Sequence, residues 1–315
     1  MNNFKKIGLT ALAGSLVATS AFAGELTATG AASISVANIT GTNDQSTGKN
    51  FSMANHVVLA GSGELDNGLT VSTSFELDNG DEAGSGPFDS HSVTIASDSL
   101  GTLVFSGHGG SSAASAMDTT AAGDIWNNTL GITGIPAGAA AGNDSLFYTL
   151  PSLMDGVAVT ASLSPGEDTA NQHSRTSYGI SFTGIEGLTI NYATGDSGVK
   201  GSKVTSDVIS ASYAMGAFSV GYSMFEDDST NKPEITGLKL GYTVSDDLSV
   251  TYGQETITKS GATVDQEVES LGVSYTTGGM TLSATTYEAK NGGYSSGAKS
   301  EHWSLRQADR LYSIL

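Results

Sequence analysis

Between Leu26 and Met280 the chain repeats a two-residue hydrophobic beat, in short segments whose connectors are tight and long in turn. Leu69, Val71, Thr73, Phe75 and Leu77 fall on one side of such a segment, and Thr70, Ser72, Ser74 and Glu76 on the other. Successive side chains of a strand point to opposite faces, so this pattern specifies a sheet with one apolar and one polar face. A soluble sandwich has the same two faces but no reason to alternate short with long connectors. A membrane-spanning barrel has that reason, because short turns close one rim and longer loops the other.

The start of the chain agrees with export. Lys5 and Lys6 precede the apolar stretch 7–17, and Ala21-Phe22-Ala23 fits a small-x-small cleavage site, so 1–23 read as a signal peptide and 24–315 as the mature chain. That stretch falls short of the about 20 apolar residues a membrane helix needs, and no later stretch reaches that length. With a mean hydropathy of −0.06 the chain is too polar for a membrane helix bundle. A barrel tolerates such an average, since half of each strand faces water. The absence of cysteine excludes disulfides and thiolate chemistry. Loss of Lys5 and Lys6 reduces the 13 basic residues to 11 against 32 acidic ones, taking the formal charge from −19 to −21. Nucleic acid is therefore no partner, because phosphate recognition needs basic patches.

The tight connectors are Asp66-Asn67-Gly68, 98–101, 152–156, 184–187, Met215-Gly216, Ser245-Asp246-Asp247 and 276–279. Asn and Gly in the first accept the positive φ that hairpin turns demand. The long connectors include 78–90, 107–144, 165–174, 195–206, 226–232 and 258–267. Between them lie about fifteen clear strands, and the C-terminal segment would be the sixteenth. The expectation is an all-β, transmembrane antiparallel barrel whose closure removes free edges. About sixteen strands leave a water-filled lumen, where about eight would fill with side chains. Tyr192, Tyr213, Phe218, Tyr242 and Tyr275 fall near one rim, and Phe51, Phe105, Tyr178, Tyr222 and Tyr287 nearer the other, as interfacial belts do.

Enzymatic and cofactor chemistry find no support. His56, His91, His108, His173 and His302 lack metal-ligand spacing, and no G-x-S-x-G occurs. The acidic runs 78–82 and 226–228 read either as divalent-cation sites near lipopolysaccharide or as ordinary solvated loop tips.

On its start 24–36, the block 61–69, Phe75-Glu76-Leu77 and Glu301-His302-Trp303, the chain resembles the short general diffusion porins of Gram-negative outer membranes, the alphaproteobacterial kind in particular. The resemblance implies sixteen strands, a homotrimer set in outer-membrane lipid and lipopolysaccharide, and passage of small hydrophilic solutes and ions. It also implies that the loop after the fifth strand folds inward as a constriction, and 107–144 occupies that place. This connector carries Asp118, Asp124 and Asp144 and contains no Lys or Arg, while 125–126 and 130–136 are apolar enough to pack on the inner wall. Charges in a constriction bias which ions enter. Relatives set arginines and lysines on the facing wall; here the lumen register holds Glu64, Glu76, Arg175, Lys239 and Glu255, and the chain has only three arginines. A cation-preferring channel is expected. The rival reading is a secreted acidic β-rich adhesin or surface-layer protein.

The last segment departs from the family pattern. After Trp303 and Leu305, Gln307 and Asp309 take lipid-facing register, and Leu315 stands where relatives carry a terminal aromatic. Residues 304–315 read as an atypical tail, arising from a shifted reading frame or from a divergent terminus.

Overall fold

The computed structural model describes residues 25–41, 48–78, 88–126, 130–136, 143–166, 174–196 and 203–311. The expected signal peptide 1–23, the run 79–82, His173 and the tail residues 312–315 lie outside them. The first half of the barrel comprises β1 (Glu25–Gly41), β2 (Gly48–Glu64), β3 (Thr70–Asp78), β4 (Ser90–Ser97), β5 (Gly101–His108), β6 (Ser145–Thr149), β7 (Val157–Ser164) and β8 (Arg175–Phe182). The second half comprises β9 (Leu188–Asp196), β10 (Thr205–Met215), β11 (Phe218–Asp227), β12 (Glu234–Ser245), β13 (Leu248–Thr258), β14 (Gln266–Thr277), β15 (Met280–Lys290) and β16 (Lys299–Leu311). Each strand pairs with its sequence neighbours, and β1 pairs antiparallel with β16 to close the ring. The closed ladder leaves no strand of the wall with a free edge, the condition for strands to sit in lipid.

The alternation sets which residues face out. On β1 and β2 the outward pairs run Ala28↔Leu59, Gly30↔Val57, Ile34↔Met53 and Val36↔Phe51. Their large members are open to the surroundings, as at Phe51, Met53 and Ile34. Near the turn rim Phe218 and Tyr242 pair across β11 and β12 with ring centroids 4.8 Å apart. Tyr287 corrects the expected outer belt. It lies on the inward face of β15 and stacks on His302 of β16 at 5.2 Å.

Turn chemistry holds the short-connector rim. Gly68 adopts φ +80°, its N–H donates to the Leu65 carbonyl at 2.8 Å, and Asn67 Oδ1 accepts the Leu69 N–H at 3.2 Å. β1 runs to Gly41 and β2 starts at Gly48, so Lys49 belongs to the wall. Backbone pairing overrides side-chain polarity once neighbours offer a ladder.

The closing strand includes part of the expected tail. Register with β1 continues from Gly41↔Ser300 through Val36↔Leu305 and Ile34↔Gln307 to Gly30↔Leu311. Gln307 is exposed and shares its outward row with Ile34 and Leu282.

Candidate functional site

The one apolar core of the described residues lies inside the barrel, between the β5–β6 connector and the inner wall. Ala114, Leu130 and Ile132 of the connector pack with Ala193, Val208, Phe225, Ile235, Ile257, Val268 and Ala289, which face inward from β9 to β15. Met117, Ile125, Trp126 and Ile135 cover the edges of this cluster. Apolar residues on the wet side of a barrel strand need an inner cover, and the connector provides it. This signal stood in the sequence: Val208, Phe225, Ile235, Ile257 and Val268 interrupt the polar half of the beat.

Polar contacts run along the same path. The serine hydroxyls of the wall receive backbone N–H groups: Ala113 to Ser162 at 3.0 Å, Ala114 to Ser177 at 3.2 Å and Ala121 to Ser223 at 2.7 Å. Farther along, Gln266 on β14 accepts the Thr133 N–H at 3.1 Å and donates to the Thr133 carbonyl at 2.7 Å. Ser300 Oγ on β16 donates to the Leu130 carbonyl at 2.6 Å. Tyr294, in the 3-10 turn Gly292–Tyr294 between β15 and β16, donates to the Gly134 carbonyl at 3.4 Å.

Between these stations the connector makes a tight turn. Asp124 takes φ +54° and its Oδ1 accepts the Thr120 N–H at 2.9 Å, while its own N–H donates to Thr120 Oγ1 at 3.0 Å. The Asp124 charge reaches Asp118. Burial first, and Asp124 second, push the Asp118 carboxyl up to about 6, against the opposing pull of a backbone hydrogen bond. Removal from water and a like charge both disfavour the ionised form. Two of the three expected loop acids are thus electrostatically coupled. Asp144 stands apart in role, exposed where the connector rejoins the wall, with φ +54° and its N–H donating to the Gly107 carbonyl at 3.3 Å.

The expected wall charges separate into different situations. Lys239 is exposed on the inward face of β12, opposite Gly221 and Gly253. Arg175 opens β8 on the same face as Ser177, half-buried. Glu64 is exposed at the far end of β2, opposite Thr70. Glu76 on β3 lies 3.8 Å from His56 of β2 and accepts the Ser90 hydroxyl at 3.1 Å. Glu255 departs from the expectation of a water-facing wall charge. It points inward from β13 yet is 0% exposed, because the connector lies over it. Its carboxylate accepts the Thr120 hydroxyl, the Ile125 N–H at 3.1 Å and the Trp126 N–H at 2.9 Å.

Arg306 was passed over with the atypical tail but belongs to the inward face of β16. Its guanidinium donates to Ser33 Oγ of β1 at 3.3 Å. Strand parity carried the clue, since Trp303 and Leu305 point outward. Among the described residues no cluster of three or more His, Asp or Glu is arranged to hold a metal ion.

A family model described as Gram-negative porin matches residues 8–305. Among curated protein sequences, none matches. The solved structures similar to this chain include a refined porin at 16% identity, with a TM-score of 0.65 over 91% of this chain and 100% of that one. A mutant of Rh. blastica porin aligns at 13% identity and TM-score 0.68, over 91% of this chain and 100% of its own. An anion-selective porin from Comamonas acidovorans aligns at 13% identity and TM-score 0.65, over 91% of this chain and 99% of its own. At such identities these structures speak to the fold.

Proposed function

This chain belongs to the Gram-negative porin family, and from that membership we propose a passive channel for small hydrophilic solutes and ions whose narrowest part is formed by the β5–β6 connector. As a porin it is a channel-forming barrel of the outer membrane. The single observation that supports the finer reading is the connector's path, laid along the inner wall from β7 to β16. A lumen narrowed from one side admits solutes by size and exposes them to whatever charge that side carries.

That charge is negative in our reading. Asp118, Asp124 and Asp144 sit in a connector with no Lys or Arg, and Glu64 and Glu76 lie on β2 and β3 of the uncovered wall. Arg175, Lys239 and Arg306 oppose them only in part, so cations should pass in preference to anions. The anion selectivity of the Comamonas acidovorans porin belongs to that protein. A homotrimer is part of the same proposal, with outer-membrane lipid and lipopolysaccharide around it. The closed sixteen-strand ring leaves the adhesin reading without an observation in its favour.

The test is single-channel recording in a planar bilayer, followed by the reversal potential in a salt gradient. Stepwise conductance with cation-selective reversal is the expected result. Folded protein that inserts without conducting would overturn the channel reading, and anion-selective reversal would overturn the acidic constriction alone.

A further inference from the structure

Glu255 has no evident reason to be charged. It is 0% exposed on the inner wall, and every hydrogen bond identified for its carboxylate comes from the connector rather than from the barrel. A buried carboxylate is retained only where donors replace its water. Here Thr120, Ile125 and Trp126 supply three donors from one short turn, and both carboxylate oxygens are used. The dependence is mutual. With the connector lifted away, Glu255 would face lumen water and the two backbone N–H groups would lose their acceptor.

The other fastenings cannot take over this task. Ser162, Ser177 and Ser223 each accept a single N–H, whereas Glu255 gathers three donors of one turn on its two oxygens. The apolar cluster holds without direction, so Leu130 and Ile132 resist lifting better than sliding. Gln266 and Ser300 fix only the later part, at Thr133 and Leu130. The turn that carries Asp124 is held in place through Glu255.

We propose that Glu255 is the positioning residue of the pore loop: its carboxylate seats the 120–126 turn on β13 and thereby sets a single open cross-section. This rests on the reading of the connector as the constriction. Removing the carboxylate leaves the Ile125 and Trp126 N–H groups buried without an acceptor, so the turn lifts toward water and the channel samples several widths. Glu255→Gln keeps one acceptor oxygen but turns an NH2 group toward the remaining N–H, so it loosens the turn as well.

The chain has no cysteine, which allows a covalent reporter of the turn's position. A Cβ built on Gly221 lies 3.3 Å from the Ala121 Cβ, within a few tenths of the about 3.5 to 4.5 Å found across disulfides. The pair Ala121→Cys with Gly221→Cys is therefore made in the wild-type, Glu255→Ala and Glu255→Gln backgrounds. Cross-linking at short oxidation times reads loop position without requiring conduction, and single-channel recording reads the consequence. Expected are a several-fold slower cross-link and multiple conductance levels in both Glu255 variants. The oxidised disulfide should restore one level, and dithiothreitol should abolish that rescue.

Cross-linking at the wild-type rate in Glu255→Ala, or a single unchanged conductance level, overturns the proposal. So does failure of the oxidised disulfide to restore uniform conductance. Heat-modifiable mobility reports assembly. If neither Glu255 variant assembles even with the disulfide formed, Glu255 acts on barrel closure and the proposal falls. Absence of conductance in the wild type would sink the channel reading, while the cross-linking rates would still decide the role of Glu255.

Discussion

The raised Asp118 carboxyl makes a sharp prediction about selectivity. With its midpoint at about 6, Asp118 is ionised at pH 7 and largely neutral at pH 5, whereas ordinary carboxylates at about 4 stay ionised across that window. The sign follows: lowering the pH removes negative charge from the constriction and reduces cation preference. A cation passing about 7 Å from the carboxylate gains about 0.6 kcal/mol at the permittivity of water, and an anion loses as much. Together these amount to about 1.2 kcal/mol, roughly sevenfold in cation over anion permeability, before screening. At 0.1 M salt, with a screening length of about 10 Å, roughly half of that energy survives and the change is roughly threefold. At 1 M the length is about 3 Å and the change should nearly vanish. The assay is reversal potential in a potassium chloride gradient, measured at pH 7, 6 and 5 on wild type and Asp118→Asn. The wild type should lose preference around pH 6, and Asp118→Asn should start lower and stay flatter. An Asp118→Asn channel that keeps the full pH-dependent drop would falsify the assignment.

Three further perturbations address the loop and the wall. Ile132→Ala empties a fully buried position between connector and wall, and a loss of about 2 to 5 kcal/mol in loop seating is expected. Protease sensitivity within 107–144 should rise while the heat-resistant folded band persists; loss of that band would place Ile132 in barrel assembly instead. Gly101→Ala introduces a side chain at φ +79°, where its Cβ would lie 2.9 Å from the Pro151 nitrogen, so the yield of folded barrel should fall. A wild-type yield would show that the turn rearranges freely. Leu305→Gln should lower the temperature at which the folded band disappears, by about 1 kcal/mol of barrel stability, because it sets an amide beside Val36 in the outward apolar row. An unchanged temperature would show that this row does not face an apolar medium.

The sequence by itself determined the wall. A period of two assigns each residue to a face, tight turns alternate with long loops, and the count of segments reaches sixteen, all from local chemistry. It also located the connector that leaves the wall, since 107–144 stands out by length alone. What it could not decide is where that connector goes. Its path depends on partners far along the chain, such as Trp126 with Glu255 and Leu130 with Ser300. Periodicity says that Glu255 faces inward, but not that another segment covers it, so a water-facing charge and a buried one look alike in the strand pattern. The same limit separated Asp118 and Asp124 from Asp144, three aspartates of one loop that only the turn at Asp124 and the rejoining of the wall tell apart. Arg306 was legible by parity yet hidden by the unusual composition around it. Facing is a local property of the strand, whereas burial and charge coupling arise only when distant segments meet inside the closed ring.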